Sequence, residues 1–203
     1  MLRLISRTAA VMALLLVWTA PPANAAGDQA GAEAFMADLG EGVISTLRTD
    51  PTFDQALGDF RPLFTRSFDM PVIGRFVLGP NWRRATEAQQ VRFIELFTEW
   101  VVRTYTRRFH DYTGETFEVQ GSRTDGDSDV IVSTRINRGG GAPSVAVDWR
   151  VRDYGGGSFQ ILDVVIEGVS QGATQRNEYA SIIQRNGGSI DALLSTLQNA
   201  VGG

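Results

Sequence analysis

The 203-residue chain carries 19 basic residues, all arginine, against 23 carboxylates, with one histidine and no cysteine. The net charge of −4 gives no support to nucleic-acid binding, whose sign is a basic patch or stripe. The lack of cysteine excludes disulfides, thiolate metal sites and a cysteine nucleophile, so stability must come from packing.

Arg3 and Arg7 precede a short apolar run, Thr8 to Trp18. Pro21 and Pro22 break it, and Ala23-Asn24-Ala25 offers small residues for cleavage. This is the pattern of a secretory signal peptide over residues 1–25. The run is too short for a spanning helix, which needs roughly 20 residues, and no cysteine follows for lipid attachment. The expectation is a bacterial protein exported to the periplasm, with residues 26–203 forming one domain. Cleavage leaves 178 residues, enough for a core of its own, and 17 arginines against 23 carboxylates, a net −6. That balance argues against sustained docking on anionic lipid surfaces.

Ala32 to Arg48 repeats Phe35, Leu39, Val43, Ile44 and Leu47 at helical spacing. Asp50-Pro51 reads as a cap followed by a first-turn proline, opening a second helix through Phe53, Leu57, Phe60 and Phe64. Pro71 and Gly79-Pro80 bracket a short apolar segment, Val72 to Leu78. Thr86-Glu87-Ala88-Gln89 is a capping box, and a long helix runs from it to about Asp111. From Glu115 the period changes to 2. Asp129 to Asn137 alternates, and Ser144 to Arg152 sets Val145, Val147, Trp149 and Val151 against polar partners, the mark of strands with one dry face. Ser158 to Glu167 is apolar on both faces at its end. Turn-rich connections, Thr124 to Asp127, Gly139 to Pro143 and Asp153 to Gly157, make these four strands an antiparallel meander. Two helices follow, Gln171 to Arg185 and, after Ser189 as cap, Ile190 to Ala200. The expected class is α+β: a twisted antiparallel four-stranded sheet wrapped by helices.

Reactive constellations are absent from this pattern. His110 has no second histidine. Asp125, Asp127 and Asp129 resemble the start of a calcium loop, but Ile136 stands where the closing glutamate belongs, which favours a solvated hairpin turn. The glycine runs connect strands and no lysine completes a phosphate loop. Ser170 lacks the flanking glycine of a nucleophile elbow. Asp163 and Glu167 fall roughly 13 Å apart along a strand, too wide for a carboxylate pair. No catalytic residues and no metal or cofactor site are expected.

The apolar features are stronger. Phe93, Phe97, Val101, Tyr105 and Phe109 recur every four residues, with Trp100 and Tyr112 beside them. Patterning alone is compatible with a filled core or with a lined cavity.

The order of segments resembles the MlaC family, periplasmic phospholipid-binding proteins once called toluene-tolerance proteins. The resemblance is carried by Phe64, Phe68-Asp69, Ile73 to Gly79, Trp82-Arg83, Thr86 with Gln89, Phe93 with Phe97, and Thr104-Tyr105. It continues through Asp163-Val164, Glu167 to Ser170, Arg176 and Leu193, from about Ala32 to Leu197. Gln171 to Gln175 departs from the family, which often has a more apolar residue after the serine and an Asn-Tyr step before the arginine. A branch associated with hopanoid biosynthesis shares the pattern.

The resemblance implies a non-enzymatic carrier with an apolar cavity between helices and sheet. It takes a phospholipid ligand between an outer-membrane lipoprotein complex and an inner-membrane ABC transporter complex bearing a substrate-binding ring, in the service of outer-membrane asymmetry. The alternatives are a hopanoid-associated carrier and an enzyme on a cone-shaped α+β fold, with Asp163 its one serious candidate. The residues expected to touch lipid tails are Phe68, Val72, Ile73, Phe76, Val77 and Leu78 from the mouth segment, and Phe97, Val101 and Tyr105 from the long helix. From the sheet they are Val147, Trp149, Val151, Phe159, Ile161, Val164 and Ile166. Arg75 and Arg83 are read as mouth or partner residues, or as ordinary solvated or salt-bridged arginines. Gly74, Gly79 and Gly168 are read as serving backbone geometry.

Overall fold

A computed structural model describes residues 27–48, 52–110, 114–138 and 142–202, with the backbone alone at 109 and 110. The expected signal peptide, the Asp50-Pro51 pair, Tyr112 and the glycines 139–141 lie outside the described residues, as do the side chains of Phe109 and His110.

Helix α1 spans Gln29–Leu47, with the Asp28 carboxylate accepting from the N–H of Gly31. Helix α2, Phe53–Ser67, is capped by Thr52. Thr52 and Gln55 satisfy each other's backbone N–H groups in a capping box, a stronger local arrangement than a single acid. The apolar segment between Pro71 and Gly79 is itself a helix, α3, Met70–Leu78. Asp69 caps it, Pro71 sits in its first turn, and Gly79 ends it at φ 59°, a conformation that disfavours any side chain. A 3-10 turn, Gly79–Arg83, leads to α4, Glu87–His110. The Thr86/Gln89 capping box opens α4 as expected.

Strands β1 (Thr116–Asp125), β2 (Asp129–Asn137), β3 (Val145–Asp153) and β4 (Phe159–Ile166) form the meander. A fifth, β5, is the two residues Val169–Ser170 folded back on β4, so the sheet has five strands and not four. The turn between them is Glu167-Gly168, both at positive φ, the geometry of a two-residue hairpin. Helices α5 (Gln171–Arg185) and α6 (Ile190–Gly202) complete the described chain. Among the described residues no helix is long and apolar enough to cross a membrane.

Two apolar clusters hold these layers. One is helical, built on Phe60, Leu78, Phe93, Phe97, Val102, Tyr179 and Leu193 from α2 to α6. The other lies between α1 and the sheet, where Ala32 and Met36 meet Val130, Val132, Val151 and Ile161. Close approach of α1 depends on glycine at Gly40, where a Cβ would meet the Phe117 ring at 2.4 Å. Phe68, at the end of α2, packs against both clusters. Its backbone neighbour Asp69 donates its N–H to the Ile161 carbonyl at 3.1 Å, which stitches the α2–α3 corner to β4.

Candidate functional site

Where α3, α4, β4 and α5 converge, the two layers do not close completely. A cleft of about 100 Å³ opens there, lined by Phe68, Met70, Ile73, Val77, Phe97, Trp100, Val101, Thr104, Tyr105 and Val164. Its polar rim is Arg108, Asp163, Gln171, Thr174 and Gln175. Helical spacing explains the division of α3: Ile73 and Val77 turn into the cleft, while Val72 and Phe76 are exposed on the far side.

Asp163 organises the wall made by α5. Its Oδ1 accepts from the N–H groups of Gly172 at 3.0 Å and Val164 at 2.9 Å, and its Oδ2 accepts from the Ser170 hydroxyl at 2.6 Å. Ser170 Oγ in turn accepts from the Ala173 N–H, capping α5. Glycine at 172 eases this approach: a Cβ would lie 3.0 Å from Asp163 Oδ1 and 3.3 Å from the Phe76 ring, so those side chains would have to give by a few tenths of an ångström. Burial pushes the Tyr105 phenol above its ordinary value; Arg108 opposes the shift and Asp163 adds to it. Tyr179, behind the cleft among Phe93, Phe97 and Trp100, is also pushed up, mainly by burial. No group of His, Asp or Glu among the described residues is placed to hold a metal. Asp129, part of the Asp-rich turn, is buried and not solvated; Arg150 and Arg152 occupy its carboxylate at 2.8 and 2.7 Å.

The structure brings Phe68, Ile73, Val77, Phe97, Val101, Tyr105 and Val164 together around the cleft. Val72 and Phe76 line a separate surface pocket on the other side of α3, and Leu78 is buried in the helical cluster. Of the remaining sheet residues, Trp149, Val151, Phe159 and Ile161 belong to the cluster beneath α1. Val147, Val151 and Ile161 are buried, and Trp149 is held by its Nε1–H donating to Thr134 Oγ1. Phe159 stacks on Phe35 of α1. Ile166 is half-buried opposite Val147.

Phe159, Ile161, Val164 and Ile166 nonetheless share one face. A bulge between the Val151–Ile161 and Arg150–Asp163 pairs absorbs Leu162 and resets the alternation. Val165, paired with Asp148, lies on the opposite face, so the end of β4 is apolar on both sides. Sequence reasoning missed Leu162, Thr104, Arg108 and the first turn of α5 as cleft residues. The signal that could have found α5 is Gly172, a glycine inside a helix, which marks close backbone approach.

A profile of the family described as MlaC protein matches residues 38–199, from α1 to α6. The chain belongs to the MlaC family. Over 109 residues it is 26% identical to the toluene tolerance protein ttg2D of Pseudomonas putida, which covers 54% of this chain and 50% of that protein. The matched stretch thus spans about half the length of that relative. The fold is also that of a phospholipid-binding protein from Ralstonia solanacearum solved in complex with a phospholipid. That likeness has a TM-score of 0.74 at 22% identity, over 84% of this chain and 97% of the other. In this MlaC chain the matched region contains every element that lines the cleft.

Proposed function

We propose that this protein is a periplasmic phospholipid carrier, exported by a cleaved signal peptide over residues 1–25. The observation that carries the proposal is the apolar cleft between α3, α4, β4 and α5, which leads from the surface to Phe68, where both apolar clusters meet. The Ralstonia solanacearum protein of the same fold, bound to a phospholipid, supports it.

Burying one acyl methylene gains about 0.8 kcal/mol. Two tails of roughly 15 methylenes therefore cost on the order of 24 kcal/mol to expose to water. Free diffusion between membranes is negligible, and a dry protein interior must replace the bilayer around the tails. The cleft of about 100 Å³ is smaller than sites that enclose drug-sized ligands, roughly 300–1,000 Å³. Loading a tail therefore widens it. The first contacts are Phe68, Ile73, Val77, Phe97, Val101, Tyr105 and Val164, with Val72 and Phe76 at the outer rim and Leu78 behind. As the helical layer parts from the sheet, the tail reaches Trp149, Val151, Ile161 and Phe159, with Val147 and Ile166 farther along β3 and β4.

The role is binding and not catalysis. The rim's carboxylate, Asp163, already accepts three hydrogen bonds that hold α5 in place. The carrier exchanges lipid with an outer-membrane lipoprotein complex and an inner-membrane ABC transporter complex with a substrate-binding ring. The test is native mass spectrometry of the purified mature protein with lipid extraction and head-group analysis. Near one phospholipid per chain is expected. Protein that is bare and refuses added phospholipid would sink the reading, and extracted hopanoid would move it to the hopanoid-associated branch.

A further inference from the structure

On the far side of α3 from the acyl cleft lies a second, more open pocket of about 390 Å³. Its walls include Arg75 and Phe76 of α3, Trp82 and Arg83 of the 3-10 turn, and Arg176 of α5, and no carboxylate. None of the ion pairs among the described residues uses Arg75, Arg83 or Arg176. An acidic chain of net charge −4 thus gathers three uncompensated guanidiniums into one concavity. Low-dielectric walls focus such a field, and their mutual repulsion is relieved by an anion.

Arg176 is set in position from two sides. Its guanidinium lies over the Phe76 ring, 5.2 Å from the centroid. At Gly79 a Cβ would come within 2.8 Å of Arg176 Nε, and the positive φ independently favours glycine there. Arg75 and Arg83 are exposed and converge on the same space from α3 and the following turn. Planar guanidiniums match the oxygens of a phosphate in pairs, which a point charge does not. Phe76 and Trp82 add apolar wall beside the charge, as a phosphate attached to an organic group requires.

We propose that this pocket binds a phosphate group, carried by a phospholipid headgroup or free in solution, through Arg75, Arg83 and Arg176. The headgroup source rests on the carrier reading; the anion site itself does not. Phe76 lies between the two sites, since its ring borders this pocket and also covers Gly172 of the acyl cleft.

The experiment titrates the mature protein by calorimetry with inorganic phosphate and with glycerophosphoglycerol, which has the phosphodiester without tails. Saturable binding, weakened at high ionic strength, is expected for the wild type. The exposed double variant Arg75→Gln/Arg83→Gln should bind about ten-fold more weakly or worse. The charge-keeping Arg75→Lys/Arg83→Lys should fall between them. Circular dichroism serves as the folding control and should match the wild type. Binding of glycerophosphoglycerol alone assigns a headgroup site, and equal binding of inorganic phosphate assigns a free-phosphate site. Binding of neither compound, or equal binding by the wild type and the folded Gln variant, overturns the proposal. Wild type that is bare and refuses added phospholipid, yet still binds phosphate, would remove the carrier reading and leave the anion site standing.

Discussion

The carboxylate of Asp163 on β4 accepts the backbone N–H of Gly172 at 3.0 Å and so fixes the first turn of α5 to the sheet. Ser170 joins the same carboxylate at 2.6 Å while capping α5. The α5 wall of the cleft therefore depends on one side chain three residues before the end of β4.

Asp163→Ala should cost about 2–3 kcal/mol in urea unfolding, because it strands a half-buried hydroxyl and N–H that now meet a carboxylate. Asp163→Asn keeps the carbonyl acceptor for Gly172 and should cost about 1 kcal/mol. Lipid retained per chain should fall with the Ala variant and hold with the Asn variant. Loss of a lipid turnover by Asp163→Asn, with lipid retention and stability unchanged, would instead give Asp163 a catalytic role.

The two apolar clusters should respond differently to added volume. Val164 is half-buried at the cleft, so Val164→Trp should occupy space otherwise open to a tail. Lipid per chain should drop several-fold by mass spectrometry while the thermal midpoint stays within a few degrees. Val151 is fully buried, and Val151→Trp should overpack the sheet-side cluster and destabilise by about 3 kcal/mol or more. Equal lipid occupancy in folded Val164→Trp and wild type would remove Val164 from the tail path.

Asp129 should govern part of the acid limb of stability. Burial opposes its charged form, but hydrogen bonds from Arg152 and Arg150 together outweigh that and hold its carboxyl below the ordinary carboxylate value. A depressed carboxyl stabilises fully above its unfolded value of about 4 and loses that contribution as pH falls through the folded value. Asp129→Asn should therefore cost about 1–3 kcal/mol at pH 7, discounted for the partly exposed arginines. It should also flatten the pH dependence below about pH 4. Urea midpoints of both proteins between pH 7 and pH 2 measure this, and parallel curves would count against the assignment.

Much of the fold was legible because its causes are local. The limits of β2, Asp129–Asn137, fall where alternation places them, and α5 spans the expected Gln171–Arg185. Helix α3 escaped because it spans only nine residues, Met70–Leu78, too few for a helical period to declare itself. Strand β5 escaped because its turn puts Glu167 at φ 49°, a conformation more typical of Gly, Asn or Asp.

The candidate site was legible only as a set of apolar residues. Phe97, Val101 and Tyr105 fall on the cleft because four-residue steps keep them on one face of α4. Leu162 defeated the same logic in β4, since a bulge is made by the partner strand as much as by its own residues.

By itself the sequence determined which residues leave water and in which helices and strands they do so, because period, caps and turn residues act within a few positions. Tertiary structure alone decided that Val151 and Ile161 pack solidly under α1 while Val101 and Val164 border open space. It alone also decided that Arg75, Arg83 and Arg176 face one another across a pocket. Hydrophobic burial is non-directional. Whether apolar side chains fill a gap or line it depends on how closely distant segments approach, and that distance is set by Gly40 against Phe117 and Gly172 against Asp163.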